Sequence, residues 1–218
     1  MRLSIHQFYL RVARFLRESG DKRFNMERIV DVVYRISFRI LCDRIDSEYV
    51  TRKVLALAKR KSIVYDGSEQ SADWFIRQTC FMCRLTIVRR RALWLMDVRK
   101  DVFVRASPKV GEHDDYITKQ AWQVYCRAVN GMTPLQVTAY VLFVLEGIPE
   151  ERAAEIMGLT RFRLRHLLKK ATASIRAELA VYGSAGLYRN FVSFIRMVDE
   201  AKKPQAKDLL TEYSDSAP

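Results

Sequence analysis

Six side chains able to donate to a polyanion, Arg161, Arg163, Arg165, His166, Lys169 and Lys170, crowd into one short stretch after Thr160. Leu164, Leu168, Ala171 and Ile175 recur through it at spacings of three and four, so the segment reads as a helix with one apolar face and one cationic face. The chemistry available is binding. Guanidinium and imidazole groups near a helix start can donate to base edges, whereas Lys169 and Lys170 are better placed for phosphates, which fix register without reading sequence. An αα-hairpin with solvated cations is the alternative. Catalysis finds no material: there is no phosphate-cradling glycine loop, no nucleophile elbow and no H-E-x-x-H, and only eight glycines are available for loops. Cys80-Phe81-Met82-Cys83 is a lone C-x-x-C pair, and His6, His113 and His166 stand at no metal-ligand spacing from it. Buried structural thiols are the expectation for Cys42, Cys80, Cys83 and Cys126, with no metal, no cofactor and no enzyme activity.

The elements that must hold the cationic stretch announce themselves by their ends. Thr133-Pro134-Leu135-Gln136 combines an N-cap threonine, proline at the first helical position and glutamine three residues past the cap. Gly147 stops that helix. Glu150 to Met157 then presents Ala153, Ala154, Ile156 and Met157 to a core, and Gly158 follows where a left-handed residue is needed. Thr160 caps the basic helix. Two helices joined by a tight glycine-containing turn, the second one basic, describe a helix-turn-helix whose second member fits a DNA major groove.

The whole chain has the same bias. Its 218 residues are 49% hydrophobic and 29% charged, as in ordinary globular proteins, yet the formal net charge is +13. That excess points to a polyanionic partner, nucleic acid ahead of an anionic membrane. Charges interrupt every apolar run before membrane-spanning length, and Arg2, His6, Arg11 and Arg14 break up any signal-like core near the start, so a cytoplasmic protein is expected.

Helical periodicity dominates elsewhere, and the expected fold is all-α: two small helical domains joined by a linker. An amphipathic segment from Ile5 to Glu18 breaks at Ser19-Gly20-Asp21. Met26 to Cys42 carries Ile29, Val33, Ile36, Ile40 and Leu41 on one face. Asp43 to Asp46 reads as a turn and Ser47 as the cap of a helix from Glu48 to Arg60. Tyr65-Asp66-Gly67-Ser68 is a loop, and Ser71 or Asp73 caps a helix that begins near Trp74 and runs into Arg89-Arg90-Arg91. The polar stretch 98–115 is the linker, and Tyr116 to Val129 is a helix leading into the helix-turn-helix. A further helix from Leu187 to Lys202 precedes a polar tail. The expected divisions are an N-terminal extension over 1–22, a first domain over 23–97, a second over 116–182 and a C-terminal extension over 183–218.

Laid out this way, the chain resembles the extracytoplasmic-function (ECF) sigma factors of the sigma-70 family, the bacterial promoter-recognition subunits of RNA polymerase. Met132-Thr133-Pro134-Leu135-Gln136, Glu146-Gly147-Ile148-Pro149-Glu150-Glu151 and Ala153-Ala154-Glu155-Ile156-Met157-Gly158-Leu159-Thr160 resemble the phrase "L-P-x-x-Q … E-G-x-S-x-E-E-I-A-x-x-L-G-I-S" of the family's fourth region. Leu41-Cys42-Asp43-Arg44-Ile45-Asp46-Ser47-Glu48 resembles "L-G-D-R-E-D-A-E" of its second region, and Trp74 with Arg89-Arg90-Arg91 resembles that region's end. The resemblance implies as partners core RNA polymerase, through the β′ clamp helices and the β subunit, and promoter DNA. The second region would dock on the clamp through Glu48, Tyr49, Arg52 and Lys53 and melt one promoter element; the fourth would read another as duplex. Open strands need cations and aromatic platforms. Tyr65, set in a loop, is the first candidate, with Trp74 and Arg89 to Arg91 beside it, although Trp74 and Phe75 equally suit a core.

Where the family continues "D-L-V-Q-E-V-F", this chain has Tyr49-Val50-Thr51-Arg52-Lys53-Val54-Leu55, which replaces acidic and polar groups with Tyr49, Arg52 and Lys53. Like charges would then face the basic clamp. Some ECF sigma factors without the acidic motif are associated with Ser/Thr kinases, and a phosphate on Thr51 adds about −1.5 to −2 charge. Phosphorylation of Thr51 by such a kinase is therefore one expectation, and an unmodified surface threonine is the other. A helix-turn-helix regulator that does not engage polymerase is the alternative reading of the whole chain.

Overall fold

The computed structural model describes residues 22–95, 116–182 and 190–195. Every regular element among them is helical. Helix α1 spans Lys22–Leu41, α2 Arg44–Arg60 and α3 Glu69–Leu95; α4 spans Tyr116–Gly131, α5 Pro134–Tyr140, α6 Glu150–Met157 and α7 Arg161–Tyr182. A π-helical turn, Val141–Leu145, continues α5. The segment from Ile5 to Glu18 and the linker 98–115 lie outside the described residues, as does all of the C-terminal extension except 190–195.

Helices α1, α2 and α3 pack on one another through the stripes their sequences carry. Ile29, Val33, Ile36, Ile40 and Leu41 of α1 are all buried, and Val50, Val54, Leu55 and Ala58 of α2 meet them. Helix α2 begins earlier than its sequence suggests. Asp43, not Ser47, is its N-cap: the Asp43 carboxylate accepts the Asp46 N–H at 2.8 Å, while Ser47 is buried and donates its hydroxyl to the Asp43 carbonyl. Helix α3 likewise begins ahead of Trp74, at Glu69, with Ser68 Oγ accepting the Ser71 N–H at 3.1 Å. Its loop is fastened by Asp66, which accepts from Ser68 N–H at 2.8 Å and Ser71 hydroxyl at 2.6 Å.

In the second half, α4, α5 and α6 pack on α7. The capping box at Thr133 forms in both directions, Gln136 N–H to Thr133 Oγ1 and Thr133 N–H to Gln136 Oε1, with Pro134 in the first turn. Glu146 N–H donates to Val141 O at 2.8 Å, which closes the wider i to i−5 ring of the π turn.

The two expected domains share one core. Phe38 of α1 stacks on Trp122 of α4, centroids 4.9 Å apart and planes at 6°, and the Tyr125 hydroxyl donates to the Arg39 carbonyl at 2.7 Å. Glu146, at the end of the π turn, accepts from Arg39 Nη1 at 2.6 Å and from Arg35 Nη2 at 2.9 Å. Helix α3 packs on α5 and α6, where Arg152 Nη2 meets Asp73 at 2.7 Å. Phe191 and Ile195 are buried in the same core.

Candidate nucleic-acid interface

The turn that sets α7 against α6 is built as its sequence implies. Gly158 takes φ +64° and ψ 39°, ending α6 in the left-handed region, and the Leu159 N–H returns to Ala154 O at 2.9 Å. Thr160 Oγ1 accepts the Arg163 N–H at 3.3 Å and starts α7. Leu164, Leu168, Ala171, Ile175 and Leu179 are buried, so the opposite side of α7 faces outward. Arg161, Arg163, Arg165, His166, Lys169 and Lys170 are all exposed.

They are not equivalent. At about 100° per residue, His166, Ala173, Phe162 and Lys170 fall within about 40° of the direction opposite the buried stripe. Arg163 flanks that line on one side and Lys169 on the other, while Arg161 and Arg165 lie towards α6. Arg165 Nε donates to Glu150 at 2.7 Å, and Arg161 Nη1 pairs with Glu151 at 3.1 Å. Both pairs join the basic helix to the acidic first turn of α6. Arg161 and Arg165, expected among the donors to base edges, thus sit at the side of the face next to α6 and remain exposed. Phe162, close to that line, is 83% exposed. Its signal in the sequence is its spacing of two from Leu164, half a turn from the core.

The first half carries a second basic surface with fewer available groups than its sequence suggests. Tyr65 is 5% exposed and packs edge-on against Phe75 at 6.3 Å between centroids, so it is a core residue and not a loop platform. Burial holds its hydroxyl pKa above the ordinary tyrosine range. Trp74 is half-buried, also against Phe75. Arg90 reaches back to the α1–α2 turn, donating to Leu41 O at 3.2 Å and pairing with Asp43 and Asp46. Arg91 crosses to the second half and donates to Asn130 O at 3.2 Å and Met132 O at 2.5 Å, where it caps the end of α4. Both therefore hold elements together, and of this trio Arg89 is the exposed one. Phe81, Leu85 and Val88 accompany it along the outer side of α3.

On α2, Ile45, Tyr49, Arg52 and Lys53 form an outward stripe, with Lys53 Nζ 5.4 Å from the Tyr49 ring centroid. Glu48 is paired with Arg44 at 2.8 Å. Thr51 is on the opposite side. It is fully buried, and its hydroxyl donates to Ser47 O at 2.8 Å. A surface threonine beside Arg52 and Lys53 was the expectation; the i, i+3, i+4 stripe of Ser47, Val50, Thr51, Val54 and Leu55 instead turns it into the core. A kinase would meet that hydroxyl only after α2 had left its neighbours.

All four cysteines are free thiols. Burial pushes the Cys83 thiol up to about 12 and raises Cys80 further, which keeps both protonated and unreactive. No group of metal-ligating side chains occurs among the described residues, and no helix there is long and apolar enough to cross a membrane. Compared with family models, curated proteins and solved structures, the chain matches none of them.

Proposed function

We propose that the protein is a promoter-recognition subunit of the ECF sigma type, which binds core RNA polymerase and directs initiation to a subset of promoters. The observation that carries this reading is the outward basic face of α7, set behind a glycine-terminated α6 and attached to a three-helix unit that bears the resemblance to the family's second region. Duplex DNA is the ligand that such a helix suits, because the cations of its two flanks lie where phosphates line a major groove. The net charge of +13 favours association with either the promoter or nucleic acid at large. Thr51 phosphorylation has no support from geometry, since the acceptor oxygen is enclosed.

A second reading, a helix-turn-helix regulator that does not engage polymerase, is favoured by Arg52 and Lys53. Both are exposed on the α2 stripe, where the resemblance implies acidic and polar groups. Co-purification with core enzyme and run-off transcription separate the two. The sigma reading expects association with core and transcripts from particular templates; stable binding to duplex DNA with no association with core under any condition would replace it by the regulator.

A further inference from the structure

We propose that Phe162 reads thymine, by packing its ring against the 5-methyl group in the major groove. The inference rests on the duplex-binding reading of α7 and assigns a specificity role within it.

Exposure alone would say little, because single apolar residues on a surface are ordinary. Position decides. Phe162 is the second residue of α7 and the most exposed of the large hydrophobic side chains described, at 83%. It lies about 40° from the centre of the outward face, which His166 holds one turn later, with Arg163 to one side and Arg165 and Lys169 to the other. A helix seated in a major groove turns its central line to the floor and its flanks to the phosphate walls, and its N-terminal residues come nearest the base edges. Cations on both flanks would hold that orientation. The side chain presented to the bases in the first turn is then a phenyl ring, which can neither donate nor accept a conventional hydrogen bond. Of the groups on the major-groove floor, the thymine methyl is the one that gains from apolar contact; the N4 and N6 amino groups and the O4, O6 and N7 acceptors would be stripped of water without a partner.

The test removes that methyl and nothing else. The full-length chain is used to enrich a duplex from a random pool, and each thymine of the enriched duplex is replaced in turn by deoxyuridine. Fluorescence anisotropy then compares wild type, Phe162→Ala and Arg163→Ala. At one thymine, or two adjacent ones, loss of the methyl should weaken wild-type binding about three- to tenfold, the scale of one buried methyl group. Phe162→Ala should bind the thymine duplex as weakly as wild type binds the deoxyuridine one, and should not distinguish the two. Arg163→Ala should weaken both duplexes equally while keeping the methyl effect. Circular dichroism on Phe162→Ala checks the fold, which an exposed side chain should not disturb. Wild type indifferent to deoxyuridine at every position, or Phe162→Ala retaining the full methyl effect, overturns the assignment and leaves duplex binding standing. Failure of wild type to bind or enrich any duplex overturns both.

Discussion

Thr51 and Asp66 show how differently two small polar side chains contribute at the scale of the residue. Thr51 offers its hydroxyl to the Ser47 carbonyl one turn back and is fully buried. Thr51→Asp therefore places a carboxylate in a fully buried site, and should destabilise the fold by about 2–4 kcal/mol in a denaturant titration. Thr51→Val keeps the shape and should cost within about 1 kcal/mol, because the lost bond only duplicates a helical acceptor. A Thr51→Asp protein as stable as wild type, with gained affinity for core polymerase, would restore the phosphorylation switch. Asp66 is a surface group whose importance lies in its partners: hydrogen bonds from Ser68 and Ser71 lower its pKa from 3.8 to about 2. A depressed folded-state value means stability that is present above pH 3.8 and is lost as pH falls through about 2. The stability gap between wild type and Asp66→Ala should accordingly be constant near neutrality and narrow over that acidic window, as urea midpoints measured across pH would record.

The elements are punctuated by local chemistry, and the sharpest case is Gly158. Its φ of +64° is a conformation that side chains with a Cβ adopt reluctantly, yet a Cβ there would meet nothing within 4 Å. Gly158→Ala should therefore cost about 1 kcal/mol, from backbone strain alone, and lower the melting temperature without changing the helical spectrum. Such signals made the helix-turn-helix legible. The capping box at Thr133, the span of α6 and the cap at Thr160 all depend on residues within one turn of each other, so their spacing in the sequence is their spacing in space. Where two capping residues compete, local reading loses its footing: Asp43 and Ser47 can each start a helix, and the earlier one does so because Ser47 continues the buried stripe of α2. Tyr65 shows the same limit in a loop. A polar, glycine-containing segment looks exposed, but the ring folds back against Phe75, and only the packing of α3 determines that. For the candidate interface, the six cations were legible as a group, while their ranking required the direction of the core. Once that direction is known, two of them fall beside α6, and His166 takes the centre with Phe162 close to it.

For the molecule as a whole, the two halves are joined by contacts that no local pattern carries. Arg35 and Arg39 meet Glu146 across 111 and 107 positions, and the Glu146 side chain is only 6% exposed between them. Near this group lie the Phe38–Trp122 stack and the bond from Tyr125 to the Arg39 carbonyl, and the Arg39 and Glu146 side chains are sheltered from solvent and weakly screened while Arg35 stays partly exposed. Removing the shared carboxylate takes this partner from Arg39, whose side chain is only 5% exposed, and a loss of that kind costs up to about 3–5 kcal/mol, with less from the 36% exposed Arg35. Glu146→Gln should consequently loosen the whole molecule and not one helix. Because the halves share a continuous core, the wild-type chain should unfold in a single cooperative transition. In Glu146→Gln the transition should broaden or divide as α1 to α3 and α4 to α7 lose their common interface, and small-angle scattering should report a larger radius of gyration before unfolding begins. Raising the salt concentration should change little, in contrast to the exposed Arg161–Glu151 pair at 3.1 Å, whose weak contribution salt would erase. An unchanged unfolding curve and an unchanged radius would mean that the apolar contacts alone hold the halves together. The outward basic face of α7 is exposed while the halves are packed together. Binding of duplex DNA by α7 should therefore be the same in wild type and Glu146→Gln, whereas any activity that requires the two halves to separate should increase in the variant.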